Sequence, residues 1–334
     1  MRYLTVKNLK PGMVVARPLL DEKGNMLLNK GNKISPTVFN RIQTMEVQGL
    51  YIEDEISEGI VVENLIDPDL KINAVKALMD NDISKAMLLA KEVVKDLKRQ
   101  ESLKVNLIDI KNNKNYTYKH CVATCIYAVI IGLSFRMTEE QLENLAIAAM
   151  LHDIGKFSID EAVLHKRGKF TEKDMEAMKA HPKNAYETLS LIPEISSVSR
   201  NAILYHHENV DGSGYYNVPK DKQTAYTRIL HVVDVYDALC SERKYRAAYS
   251  PSEAIEYIMG NADKMFDPIV VKALAHSFPL YPVGLTLKLS NGEEAIVYSN
   301  EINSMRPVIR TMDGKLVDLS TDPVYRSITI YGIV

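Results

Sequence analysis

Eight histidines are scattered over the 334-residue chain, and five of them form a series with two aspartates. His120 opens a long apolar run. His152 and Asp153 are adjacent in LHDIGK. His181 precedes Pro182, His206 and His207 are consecutive in HHENVDGSGYY, and Asp234 lies in HVVDVYDAL. Imidazole and carboxylate together suit zinc, manganese and iron, and the absence of cysteine from the series argues against a closed structural zinc site. Seven such ligands can hold two metals if one carboxylate bridges. Asp153 is the natural bridge, because its neighbour His152 points at the same place.

A lone histidine in an apolar helix is more often a hydrogen-bonded core residue than a ligand, and His165, His231 and His276 read that way. The His-Asp pair alone is common by chance. Its context narrows the reading: Gly155 is expected to end the preceding helix, and Lys156 sets a cation beside an anionic site. The pair His206-His207 is followed by Glu208 and by Asp-Gly-Ser-Gly. Placing several polar side chains inside apolar helices is costly unless each is satisfied, and one metal centre satisfies them together.

Helices have to position these residues. The chain from 112 to 278 reads as helical throughout, and such bundles build di-metal sites from facing helices. Thr171 with Asp174 resembles a capping box, and Ser250-Pro251-Ser252-Glu253 is a stronger one with proline at the first helical position. Upstream, residues 67 to 110 carry a helical apolar pattern with a break near Asp80-Asn81-Asp82. The acidic stretch 53–66 reads as a linker. Residues 1 to 52 form short apolar runs between turn signals at Pro11-Gly12 and Lys23-Gly24-Asn25, with a helix capped by Ser35. After Pro279, Asn291-Gly292 and Asp313-Gly314 sit between alternating runs, the strongest short-range hairpin signals. The expected fold class is mainly α. A helical catalytic domain over 112–280 is flanked by small β-rich modules at 1–52 and 281–334, with 53–111 as linker and helical segment.

Composition narrows the function classes. Charged residues make up 25% and apolar residues 46%, as in an ordinary globular protein, and the net charge of −2 excludes a broad footprint for a nucleic-acid polymer. Cys121, Cys125 and Cys240 are no disulfide framework, which fits a reducing cytoplasm; Cys121 and Cys125 read as small packed hydrophobes. The first residues lack the apolar core of a signal peptide. The run CVATCIYAVIIGLSF is shorter than the roughly 20 residues that span a bilayer and reads as a buried core helix. The oligomeric state stays open, with a homodimer among the options.

Taken together, TYKHC, LHDIGK, LHKRGKFTEKDMEAMKAHP, HHENVDGSGYY and RILHVVDVYDALCSERKYRAAYSP resemble the HD-GYP family, a branch of the HD phosphohydrolases, from Tyr116 to Phe278. The resemblance implies an all-helical domain that hydrolyses cyclic di-GMP to linear pGpG or GMP at a centre of two divalent ions, iron or manganese. It implies His120, His152, Asp153, His181, His206, His207 and Asp234 as metal ligands and Lys156 beside the scissile phosphate. Gly214, Tyr215, Arg243 and Arg246 would touch the substrate. Two departures stand out. The family's Gly-Tyr-Pro reads Gly214-Tyr215-Tyr216 here. Tyr116 also occupies the position where some members have a glutamate for a third metal, so two metals are expected.

Two other readings follow from the same residues: a cyclic di-GMP receptor with little turnover, or another nucleotide phosphohydrolase of the superfamily. Losing the proline removes a fixed φ, so restoring it by Tyr216→Pro is expected to tighten the loop and raise activity modestly.

Overall fold

Local signals for helix and turn account for most of the elements seen in the computed structural model, which describes residues 1–20, 26–44, 47, 49–100, 116–164, 166, 168–241 and 248–334. The turn expected at Lys23-Gly24-Asn25 lies outside the described residues, as do Arg243 and Arg246. The chain opens with strands β1 (Arg2–Thr5), β2 (Val14–Val15), β3 (Leu19–Leu20) and β4 (Met26–Leu28), then helix α1 (Pro36–Thr44) and strand β5 (Gly49–Glu53). Strands β1, β5 and β2 form an antiparallel sheet in that order, and β3 pairs with β4.

Helices follow: α2 (Pro68–Met79), α3 (Ile83–Lys98), α4 (Tyr116–Ser134), α5 (Glu139–Leu151), α6 (Glu161–Leu164), α7 (Glu172–Lys179), α8 (His181–Leu189), α9 (Ser197–Leu204), α10 (Ala225–Cys240), α11 (Pro251–Gly260) and α12 (Pro268–Ser277). Their starts obey capping chemistry. Thr171 and Asp174 close a reciprocal box on α7, Ser250 and Glu253 close another on α11, and Thr138 with Gln141 does the same on α5. The break between α2 and α3 is Asn81, which takes a positive φ, followed by Asp82, which caps α3.

At the centre lies α4, where every residue from His120 to Gly132 is buried. By length and composition this helix is apolar enough to cross a membrane, but 72% of the relevant window is buried inside the protein, as expected of a core helix. Around it α2, α3, α5, α9, α10, α11 and α12 contribute to one apolar core that runs from Ile66 to Leu280. The fold is mainly α with small antiparallel sheets at both ends.

The last sheet has strands β6 (Thr286–Leu289), β7 (Glu294–Ser299), β8 (Val308–Thr311), β9 (Leu316–Asp318) and β10 (Ile330–Ile333), in the order β10-β6-β7-β8-β9. Gly292 and Gly314 turn the β6–β7 and β8–β9 hairpins with φ of 86° and 89°. The two flanks do not stand apart from each other. Tyr3, Tyr51 and Val62 share a core with Leu285, Leu287, Val297 and Ile309, and Tyr3 N donates to Gly284 O at 2.7 Å. The stretch expected as a linker is tied into this body: Arg17 donates to Val62 O and Arg310 to Ile56 O. Alternation within each segment shows which face is apolar but not which distant segment covers it.

This shared core makes a prediction. Leu285 is fully buried. Leu285→Ala is expected to destabilise the flanks by about 2–5 kcal/mol. Thermal unfolding checks it, with exchange of the β1 and β5 amides as the local readout. Unchanged exchange in β1 and β5 would mean that the two sheets do not support each other.

Candidate metal centre

The polar side chains of the series arrive from helix ends and from two buried helices. His120 projects from α4, His152 and Asp153 follow the last turn of α5, and Lys156 sits in the 3-10 turn Ile154–Ser158. His181 is the first residue of α8, His206 and His207 follow α9, and Asp234 is on α10. Gly155 does not end a helix, as its spacing suggested. It lies inside the 3-10 turn, where an added Cβ would stand 2.0 Å from His181 O and 2.7 Å from Ala185 N. Glycine is required there because the backbone of α8 presses on the turn that carries Asp153 and Lys156.

Asp153 occupies the middle. Its Oδ2 is 2.5 Å from Lys156 Nζ, 3.5 Å from His152 Nε2 and 3.9 Å from His120 Nε2. Its Oδ1 is 3.3 Å from His181 Nε2 and 3.9 Å from His206 Nε2. Asp234 Oδ1 is 2.9 Å from His120 Nε2, and its Oδ2 is 3.8 Å from His207 Nδ1. Two groups result, His120–His152–Asp234 and His181–His206–His207, each with ligand atoms within 4.8 Å of one another. One carboxylate faces both groups. Among the described residues no side chain from either flank joins them.

The rings are aimed by local hydrogen bonds. His152, His181 and His206 each place Nδ1 on the carbonyl three residues earlier, Ala149, Met178 and Ile203, at 2.8, 2.6 and 2.7 Å. That sends each Nε2 inward, the orientation a metal ligand needs. His120 is aimed differently: its Nδ1 meets Asp237 Oδ2 at 2.7 Å. Asp237 was not singled out in the sequence, although it lies three residues after Asp234 and so shares its helix face. His231, read as an ordinary core histidine, is buried and holds the carbonyl of His206 through Nδ1 at 2.8 Å.

Charge states follow from burial and neighbours. Burial holds His152, His206, His181 and His207 below the usual imidazole range, the last two at about 4 and about 3. Burial alone would raise the Asp153 pKa, but Lys156 and the surrounding rings hold it well below the carboxylate range. Asp234 is likewise held low against burial, mainly by His120. For His120 burial works against the charged ring, and Tyr116 with the carboxylates of Asp234 and Asp237 overrides it upward.

The centre therefore offers ionised carboxylates and mostly neutral imidazoles, the donor forms that divalent cations require. His152 Nε2 and Asp153 Oδ1 are buried and make no hydrogen bond among the described residues. Orphans of this kind are costly in a dry core. A cation between the rings and the carboxylates satisfies both, so the residues fit a metal centre.

The remaining named positions form its rim. Tyr215 tilts over the His207 ring at 4.7 Å between centroids, and Lys179 Nζ lies 5.3 Å from the Tyr215 centroid. Gly214 allows a close approach: a Cβ there would stand 2.5 Å from His207 O. Tyr116 stacks on His120, with ring centroids 5.4 Å apart. Glu208, buried, accepts hydrogen bonds from the amides of Tyr216 and Val218.

A family model described as HD domain matches residues 98–270. A cyclic di-GMP phosphodiesterase of Pseudomonas aeruginosa is 29% identical over 225 residues, 67% of this chain and 54% of that protein. The cyclic di-GMP phosphodiesterase response regulator RpfG of Xanthomonas campestris pv. campestris is 38% identical over 149 residues, 44% of this chain and 39% of its own length. The chain thus spans about half or less of these relatives. Among solved structures, Bd1817, a HDG"Y"P protein from Bdellovibrio bacteriovorus, shares the fold with a TM-score of 0.50 at 13% identity, covering 81% of this chain and 97% of that one.

The Glu208 contacts reverse the expectation for Tyr216. Proline at that position has no N–H to donate, and it would leave the buried carboxylate one hydrogen bond short. A hydrogen bond to a charged group is worth about 1.5–3 kcal/mol, more than the roughly 0.4–1 kcal/mol gained by fixing φ. Tyr216→Pro is therefore expected to loosen the loop, seen as faster amide exchange across residues 209–218. Slower exchange in the proline variant would restore the opposite view.

Proposed function

The chain belongs to the HD domain family, and from that premise we propose that it hydrolyses a phosphodiester bond of cyclic di-GMP, giving linear pGpG or GMP, at a centre of two divalent ions. The observation that carries this reading is the Asp153 carboxylate, whose two oxygens face two different groups of imidazoles while Lys156 holds one of them. His120, His152 and Asp234 would hold one ion, His181, His206 and His207 the other, with Asp153 shared. Nitrogen and oxygen donors without sulfur in either group suit iron, manganese or zinc, and the family resemblance singles out iron or manganese. The relatives that act on cyclic di-GMP support the substrate class.

Bound cations supply a nucleophile at neutral pH and Lewis-acid polarisation of the phosphoryl oxygens. The chain's own residues bind and orient. The Lys156 side chain keeps 19% exposure, so its ammonium can serve an incoming phosphate as a point charge while staying near Asp153. Tyr215, backed by His207, and Lys179, whose ammonium lies over the Tyr215 ring, would together meet the base or a phosphate of the substrate. Arg243 and Arg246 would take the second phosphate. Cyclic dinucleotides are intracellular signals, and this reading places the chain in the cytoplasm.

The test is turnover by protein purified without oxygen and loaded with Fe(II) or Mn(II), with the products separated chromatographically. Asp153→Ala is expected to abolish hydrolysis and to lower bound metal, read by elemental analysis. Lys156→Ala is expected to keep the metal and lose about 100-fold or more in kcat, the loss typical of removing one preorganised charge-stabilising group. Binding of cyclic di-GMP with no hydrolysis under either metal would make the chain a receptor. Full activity of Asp153→Ala would remove the shared-carboxylate assignment.

A further inference from the structure

We propose that Cys121, His152 and Asp153 form a thiophilic metal site overlapping the main centre, in which a soft divalent cation such as Zn2+ or Cd2+ displaces one of the centre's own ions. The overlap rests on the reading of the centre given above; the site itself stands on its own geometry. Cys121 was read in the sequence as a small packed hydrophobe. The fold packs it in the helical core as that reading expects, and also brings its Sγ, a His152 ring nitrogen and an Asp153 carboxylate oxygen within 4.8 Å of one another, all three residues buried. The three come from α4 and from the residues that follow α5, both buried at this point. Neither Cys125, one helical turn further along α4, nor Cys240 belongs to such a group among the described residues.

Two atoms of the residues that share the group with the thiol, His152 Nε2 and Asp153 Oδ1, are buried and make no hydrogen bond among the described residues. The sulfur changes which cation would answer them, since thiolate selects soft and borderline ions over the harder ones that imidazole and carboxylate accept. When the metal–sulfur bond forms, the thiol proton leaves to solvent, so binding releases protons. His152 also belongs to the His120–His152–Asp234 group, and Asp153 faces both groups. A cation on Cys121 therefore shares ligands with the centre, and the two occupancies compete.

The experiment uses the full chain freed of metal and titrated with Cd2+ alone, followed by thiolate-to-cadmium charge-transfer absorption in the ultraviolet. The band is expected in the wild type and in the Cys125→Ser/Cys240→Ser double variant, where Cys121 is the remaining thiol. It should vanish in Cys121→Ser, with Cd2+ binding weakened by more than about tenfold. Loss of the band in the double variant overturns the site, as does its survival in Cys121→Ser. The double variant decides the matter even if Cys121→Ser does not fold. Overlap is read separately by loading with Mn(II) and following free Mn(II) by electron paramagnetic resonance. Release of manganese in step with the cadmium band supports it, and cadmium binding without release overturns it. Protein that shows the band and the release yet never hydrolyses cyclic di-GMP would fail the functional reading while leaving this site in place.

Discussion

Burying the Asp153 carboxylate is the constraint around which the helical body is arranged. An ionised carboxylate in an apolar core is tolerated only with charge and hydrogen-bond partners close by. Here Lys156 supplies the charge from three residues along the chain, and imidazoles approach both oxygens. That arrangement needs five chain segments to meet at one point. Helix ends are suited to it, because each delivers a side chain while its apolar face packs elsewhere. Gly155 shows how tight the meeting is: with any Cβ there, α8 and its His181 would have to back away from Asp153.

Ring orientation is solved in two ways. Three histidines use the carbonyl one turn earlier, a bond made wholly within their own segment. Such rings hold their direction whether or not a cation is present, so much of the ordering cost is met by folding. His120 depends instead on Asp237, a carboxylate from α10. A carboxylate partner raises the basicity of the ring it holds and strengthens it as a ligand. Because Asp234 and Asp237 lie on the same face of α10, one helix both closes the centre and tunes its first histidine.

How much of this was legible in the sequence depends on range. The histidine series and Asp234 could be picked out because their local contexts, LHDIGK and HHENVDGSGYY above all, follow one another in the order of a family pattern, whereas residue type alone did not separate them from His231. Capping boxes at Thr171 and Ser250 and hairpins at Asn291-Gly292 and Asp313-Gly314 were legible because their chemistry is complete within four residues. What escaped was contact across the fold. Gly155 looked like a helix terminator, since spacing along the chain does not disclose which backbone will press against it. Cys121 is the buried core residue that its apolar neighbours in α4 suggested, but they do not disclose that its sulfur also comes near His152 and Asp153, which follow α5. The shared core of the two flanks escaped for the same reason: Tyr3 and Leu285 are far apart in the chain and meet only in the folded protein.

The rim loop shows that one physical requirement has more than one local solution. A loop that carries Gly212 and Gly214 must be restrained if it is to hold Tyr215 over His207. Proline would restrain it through φ, acting largely on the unfolded ensemble. In this chain the restraint comes from the folded side: Glu208 is buried and takes the amides of Tyr216 and Val218. Gln223 adds bonds to the carbonyls of Asn209 and Val218 at 2.8 Å each. Glu208 directly follows His207, so the carboxylate that orders the loop is anchored to the backbone that carries a proposed ligand. The Tyr216 departure thus leaves the loop restrained, by hydrogen bonds to a buried carboxylate instead of by a ring closed on the backbone.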